Sequence, residues 1–150
     1  MGYTKNTIVI NKDFDTVFDI TNRINDWKDL FTEYKESIVL SQEENTLKFR
    51  LTTHPDKDGH FHSWISKRII DKENKICTAE RLEPKYPFEE MNIRWEYREV
   101  TNGTEMTWIQ KFKVAEKCPW NEKQFEDYLN KNTKVQMASI REKIENGLFK

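Results

Sequence analysis

The stretch PWNEKQFEDYLNKNTKVQMASIREKIENG, residues 119–147, reads as one long helix. Pro119 marks its entry, Asn121 and Gln124 have the spacing of a capping box, and Asn146-Gly147 mark its stop. Phe125, Leu129, Thr133, Gln136, Met137, Ile140 and Ile144 recur three or four apart and form one stripe. Asn132, Thr133 and Gln136 make the middle of that stripe polar, where it should be most buried. Such a helix covers a polar-lined hollow better than a solid core.

Outward from the helix, the chain reads as strand. Segments 37–42, 46–53, 61–71, 75–83, 92–100 and 105–114 carry strand alternation, separated by polar connections such as Glu43-Glu44-Asn45, Asp56-Lys57-Asp58-Gly59, Lys72-Glu73-Asn74 and Thr101-Asn102-Gly103. Pro84-Lys85-Tyr86-Pro87 lengthens one connection, since proline cannot donate to a ladder, and this loop is placed at the border of an opening. Residues 3–10 form a further strand. A short helix follows, capped by Asp13, with Phe14, Val17 and Phe18 at helical spacing; broken helical turns then run to Phe31. A first strand with short helices after it, six more strands and a long closing helix is the order of an α+β helix-grip fold. A seven-stranded curved antiparallel sheet then wraps around the last helix and leaves a deep internal pocket. The 150 residues suffice for one domain over 1–150.

With 25 basic and 26 acidic residues, well mixed, no global field attracts nucleic acid or an anionic membrane. The apolar runs are too short to span a bilayer, and no secretory leader is read, so the expected location is cytoplasmic. Cys77 and Cys118 lack CxxC spacing, which suits free thiols in a reducing compartment. Nine Phe, five Trp and five Tyr in so hydrophilic a chain are many rings for a small solid core and point to a lined cavity.

The candidate site lies on three strands. Period-two geometry puts Trp64, Ser66, Arg68 and Ile70 on one face, and burying an unpaired charge there costs several kcal/mol or more. A wet or ligand-filled cavity tolerates that mixture. Cys77, Ala79 and Arg81 alternate on the next strand, and Trp108, Gln110 and Phe112 on the last. The alternative places the two arginines in solvent, or pairs them with Glu80 or Glu83 at the rim. Met91, Ile93, Trp95 and Tyr97 share an inward face opposite Asn92, Arg94, Glu96 and Arg98.

His54, Asp56, Asp58, His60 and His62 raise the question of a metal, but a full calcium loop is missing and a hairpin turn accounts for Pro-Asp-Lys-Asp-Gly. His62 shares the Arg68 face and is placed near the pocket mouth. No metal is expected. No GxSxG, HExxH, P-loop or dinucleotide fingerprint occurs, and four glycines leave little phosphate-cradling backbone, so no cofactor is expected either.

The residues that follow carry a resemblance. They are Phe18-Asp19-Ile20-Thr21-Asn22 leading to Trp27; Leu30-Phe31-Thr32-Glu33-Tyr34; Trp64-Ile65-Ser66-Lys67-Arg68; and Pro87-Phe88 through Met91 to Trp95-Glu96-Tyr97. Residues 103–112 and 129–133 complete the set. Over about residues 6–144 the chain resembles the single-domain aromatase/cyclases of bacterial aromatic polyketide synthesis, tetracenomycin type, in the START-like superfamily. The resemblance implies a linear poly-β-ketone substrate on an acyl carrier protein of a type II polyketide synthase. It also implies regiospecific aldol cyclisation with dehydrative aromatisation. It implies Arg68 as the central arginine and Tyr34 as a pocket tyrosine. Trp27, Trp64, Ser66, Arg81, Phe88, Met91, Trp95, Trp108 and Gln110 are implied pocket-lining residues, and Thr133 and Gln136 join them from the polar middle of the helix. The chain departs at Gln136, where the family places a shorter side chain, so pocket depth and folding pattern stay open. The resemblance leaves monomer and homodimer both open.

The expected chemistry follows from the substrate. A poly-β-ketone enolises readily, so the enzyme mainly folds it and stabilises an enolate. Arg68 suits the anchoring role, because a guanidinium offers up to five donors and does not serve as a base. Tyr34, directly or through water, is the candidate for proton transfer, with Ser66 and Gln110 orienting the chain. The competing readings are a non-catalytic carrier of lipid or other hydrophobic ligands on the same fold, and a partner-binding stress module needing an exposed apolar patch.

Overall fold

A computed structural model describes residues 1–149. The chain runs β1 (Gly2–Ile10), α1 (Phe14–Thr21), a 3-10 turn (Ile24–Asp26), α2 (Trp27–Leu30), β2 (Tyr34–Glu43), β3 (Thr46–Thr53), β4 (Ser63–Asp71), β5 (Ile76–Glu83), β6 (Phe88–Val100), β7 (Gly103–Val114) and α3 (Glu122–Glu145). The strands form one antiparallel sheet in the order β1-β7-β6-β5-β4-β3-β2, so every strand except β1 lies beside its neighbour in sequence. The expected helix-grip order is the observed one.

Local chemistry explains the ends of the elements. Asp13 caps α1 by accepting from the Thr16 amide at 3.2 Å. Asn121 and Gln124 form the reciprocal capping box of α3 at 2.9 and 2.8 Å. Gly103 opens β7 at φ +151°, and a Cβ there would collide with the Ile10 carbonyl, so glycine allows β1 and β7 to close on each other.

Two strands begin three or more residues ahead of their sequence pattern. β6 begins at Phe88 instead of residue 92, because a register shift between Phe88 and Glu90 breaks the alternation. β2 begins at Tyr34 instead of residue 37, with a similar irregularity between Tyr34 and Glu36. β4 begins at Ser63, which leaves Phe61 and His62 exposed in the preceding loop; His62 therefore does not continue the Arg68 face.

α3 lies against the concave side of the sheet and buries Phe125, Thr133, Gln136, Met137, Ile140 and Ile144, with Leu129 partly buried. The main core joins Met137, Ile140 and Ile144 of α3 to Ile10, Val17, Phe18, Phe49 and Met106. A smaller cluster of Phe88, Met91, Phe112 and Phe125 packs under the first turns of α3. Antiparallel pairing brings the β3–β4, β5–β6 and β7–α3 loops to one end of the sheet, together with the start of β2. No described helix is long and apolar enough to cross a membrane.

Candidate functional site

The sheet's inner face presents its polar groups among stacked rings. Trp95 and Trp108, paired across β6 and β7, stack with centroids 4.3 Å apart and planes 9° from parallel. Trp27 lies 5.7 Å from Trp95, and Phe31 lies 5.8 Å from Trp108, both nearly parallel. Tyr34 stacks on Trp27 and meets Trp64 edge to face. These rings occupy the space between sheet and helix where a deep open pocket was expected, and Trp27, Tyr34, Trp95 and Trp108 are all buried.

Arg68 sits in this setting and is only 1% exposed. Its guanidinium carbon is 4.2 Å from the Trp95 ring centroid and 5.4 Å from that of Trp27, a cation–π contact of about 2 kcal/mol in a desolvated site. Arg68 Nε donates to Asn22 Oδ1 at 2.9 Å, while Nη2 has no partner among the described residues. Neither the solvent-facing alternative nor rim pairing with Glu80 or Glu83 describes it.

Arg81, directly across the β4–β5 ladder from Ser66, stacks on Trp64 at 4.2 Å and reaches Phe88 at 5.5 Å. Burial lowers its guanidinium to about 10, which still leaves it a cation at neutral pH. Its Nη1 and the indole Nε1 of Trp108 are also buried without a partner among the described residues. Buried donors are normally satisfied, so these nitrogens mark where a bound acceptor would sit.

Glu33 was not legible as a site residue. It lies in the bend ahead of β2, accepts from Asn132 Nδ2 at 3.1 Å and interacts with the Tyr34 hydroxyl. Burial holds its carboxyl above the usual carboxylate range, against the pull of those two donors. Tyr34 is pushed well above the ordinary phenol value, first by burial and then by the neighbouring Glu33 charge. The phenol therefore keeps its proton at neutral pH and serves as a donor, whereas Glu33 is the group able to accept one.

Other expected residues take different places. Ser66, Phe88, Met91 and Thr133 are buried on the interior side, and Gln110 is tied to β1 through Thr4 Oγ1 at 2.8 Å. Gln136 has a different task from the expected one. Its Oε1 accepts from the Thr32 amide at 2.8 Å, and its Nε2 donates to Thr32 Oγ1 at 2.8 Å and Asn132 Oδ1 at 3.2 Å. With both N–H groups so engaged, its amide anchors the 31–33 bend to α3 instead of offering donors to a ligand.

The clefts of about 480 and 180 Å³ on the outer face of the sheet are lined by residues such as Thr78, Asn92, Arg94 and Lys111 and contain none of the stacked indoles. Asp56, Asp58 and His60 bring ligand atoms within 4.8 Å of one another, fully exposed. Asp56 Oδ1 accepts from the Asp58 and His60 amides at 2.9 Å each, which is turn chemistry.

Comparison with known proteins bears on this arrangement. The family model described as polyketide cyclase / dehydrase and lipid transport matches residues 10–123. The chain belongs to this family. It is 45% identical over 144 residues, 96% of this chain and 94% of the relative, to a protein of Streptomyces cyaneus that carries a polyketide cyclase assignment. A second relative so assigned, from Streptomyces halstedii, is 41% identical over 108 residues, 72% of this chain and 98% of its own. Among solved structures, the Zhui aromatase/cyclase of Streptomyces sp. R1128 superposes with a TM-score of 0.83 at 14% identity, covering 98% of this chain and 95% of that one. A START superfamily protein of Mycobacterium smegmatis gives 0.81 at 12% identity, covering 97% and 99%. At such identities these structures establish the shared START-like fold. The stacked indoles and buried arginines of this family member are observations on its own chain.

Proposed function

We propose that the protein is a cofactor-independent aromatase/cyclase that folds a carrier-bound poly-β-ketone, closes a ring by aldol addition and dehydrates it to an aromatic product. The observation that carries this reading is the set of buried, unpartnered donors on Arg68, Arg81 and Trp108 amid stacked rings. A carrier of fatty acids has a use for one buried arginine, at the carboxylate end of its ligand, but an acyl chain brings no oxygen further along to meet the other donors. A poly-β-ketone offers an oxygen at every second carbon.

In this reading Glu33 removes a proton from a methylene between two carbonyls, and the electron pair moves onto a carbonyl oxygen. Arg68 Nη2 donates to that developing oxyanion, and Arg81 binds a second oxygen nearer the loop end. The enolate carbon adds to another carbonyl of the same chain; Tyr34 gives its proton to the new alkoxide and takes one back from the protonated Glu33 to which it is hydrogen-bonded. Glu33, again a carboxylate, removes a second methylene proton and returns it to the departing hydroxide, so that water leaves, and enolisation of the remaining ring carbonyls completes the aromatic ring. The indoles hold the bent chain and the planar product by their faces. The rings that fill the interior part to admit the substrate, which enters from the end where Tyr34, Arg81 and Phe88 lie.

The carrier-protein partner rests on the resemblance to the aromatase/cyclases of type II polyketide synthesis. In the sequence of the loop-end connections, Lys57, Lys85 and Lys117 alternate with Asp56, Asp58, Glu83 and Glu116, so no run of basic residues there favours an acidic partner.

The test is co-expression with a minimal polyketide synthase, with mass spectrometry and NMR of the products. Wild type is expected to redirect the chain to one cyclised aromatic product. Arg68→Ala is expected to fold and to lower that product by on the order of 10²-fold or more. A product profile unchanged by Arg68→Ala would refute the anchor, and recovery of unmodified lipid with no cyclised product would favour the carrier reading.

A further inference from the structure

Asn22 closes α1, with its backbone amide on the Asp19 and Ile20 carbonyls. Its side-chain Nδ2 donates to the Phe18 carbonyl at 2.9 Å and reaches the Tyr97 hydroxyl at 3.4 Å. That hydroxyl is itself 2.7 Å from Thr21 Oγ1, which donates to the Val17 carbonyl at 2.7 Å. With its nitrogen committed to a carbonyl, the amide has one orientation: Oδ1 faces Arg68 Nε at 2.9 Å and also accepts from Cys77 Sγ at 3.3 Å.

The group that holds this buried guanidinium is therefore neutral. Among the described residues no carboxylate is within ion-pair distance of Arg68, although an aspartate at residue 22 would offer an oxygen to the same nitrogen. A paired carboxylate would cancel most of the charge within the site; an amide leaves it in force. The Trp95 and Trp27 faces that contact Arg68 bring π electrons and no formal charge.

We infer that Asn22 is a positioning residue that orients Arg68 while leaving its charge uncompensated, so that the inner end of the pocket selects an oxyanion on a flat or aromatic carbon frame. The inference builds on the reading of Arg68 as the oxyanion anchor and extends it to a residue that does not touch substrate.

The probes are naphthalene-2-sulfonate, anionic at every working pH, and the neutral methyl 2-naphthyl sulfone, compared by calorimetry on wild type, Asn22→Asp and Asn22→Ala. Wild type is expected to prefer the sulfonate by roughly tenfold or more. Asn22→Asp is expected to lose that preference near pH 8 and not to regain it by about pH 5, because the guanidinium it pairs with keeps the introduced carboxyl ionised. The groups facing residue 22 are Arg68, Cys77 and Tyr97 from the sheet and Thr21 from its own helix. Burial raises both the Cys77 thiol and the Tyr97 phenol, so neither titrates in that window, and wild type controls for the histidines. Asn22→Ala is expected to lose part of the preference at every pH, and it decides alone if Asn22→Asp does not fold. Full preference retained in Asn22→Asp or Asn22→Ala, or absent in wild type, overturns the inference. Absent cyclisation with the expected probe pattern sinks the proposed reaction alone; cyclisation indifferent to residue 22 sinks the positioning role alone.

Discussion

Glu33 and Arg68 illustrate opposite treatments of a buried charge. Arg68 is ionised and stabilised by ring faces and an amide oxygen, whereas Glu33 is held where ionising is costly. Because burial raises the folded-state value of Glu33, its contribution to stability is present below the unfolded value and is lost as pH rises through the folded one. Glu33→Gln removes that cost and keeps an acceptor for Asn132. It is expected to leave the thermal midpoint at neutral pH unchanged or higher while abolishing the acidic limb of the pH–rate profile, with kcat down on the order of 10²-fold. Paired calorimetry and a pH series check both parts; an intact acidic limb in the variant would remove Glu33 from the reaction. Arg68 was legible because a guanidinium on an alternating strand face beside Trp64 has few bland explanations. Glu33 was not, since it precedes β2 in a bend where the period-two rule does not apply.

At the scale of the element, α3 shows how a correct pattern can carry an incomplete meaning. Its capping box and stripe were readable because both depend on residues three or four apart. The polar centre was read as the lining of a hollow; much of it ties down the segment that delivers Glu33 and Tyr34. Gln136 pairs with Thr32, and Asn132 with Glu33, over roughly a hundred residues of sequence, a partnership no local spacing reveals. Gln136→Leu removes the acceptor of the exposed Thr32 amide, which water can partly replace, and is expected to cost about 1 kcal/mol in urea denaturation. Activity should fall further than stability explains, because the freed bend no longer sets the Glu33 carboxylate. Full activity at the stability cost alone would show that the latch serves the fold only.

At the scale of the molecule, antiparallel neighbours in sequence order place the turns at two ends with different tasks. One end carries the 54–62 and 84–87 loops and the β7–α3 connection; the other carries short turns such as the one around Gly103. Strand order was legible from turn chemistry, since each connection is local. The stacking of Phe31 on Trp108 was not, because Phe31 lies in the irregular bend before β2, where no periodicity indicates a direction. Binding of a flat aromatic acid is expected to slow amide exchange in the 31–34 and 84–88 segments and the first half of α3. Exchange at the 43–46 and 101–104 turns should stay unchanged, and protection spread equally over both ends would contradict entry from the loop end.

The stacked indoles have an optical consequence. Two chromophores 4.3 Å apart in stacked planes share their excited states, so Trp95 and Trp108 should give a paired positive and negative band at the strong indole absorption of the far-ultraviolet circular dichroism spectrum. Any guest that slides between or against them alters that coupling. The protein thus carries a built-in, label-free gauge of occupancy, readable in the same cuvette in which the product forms.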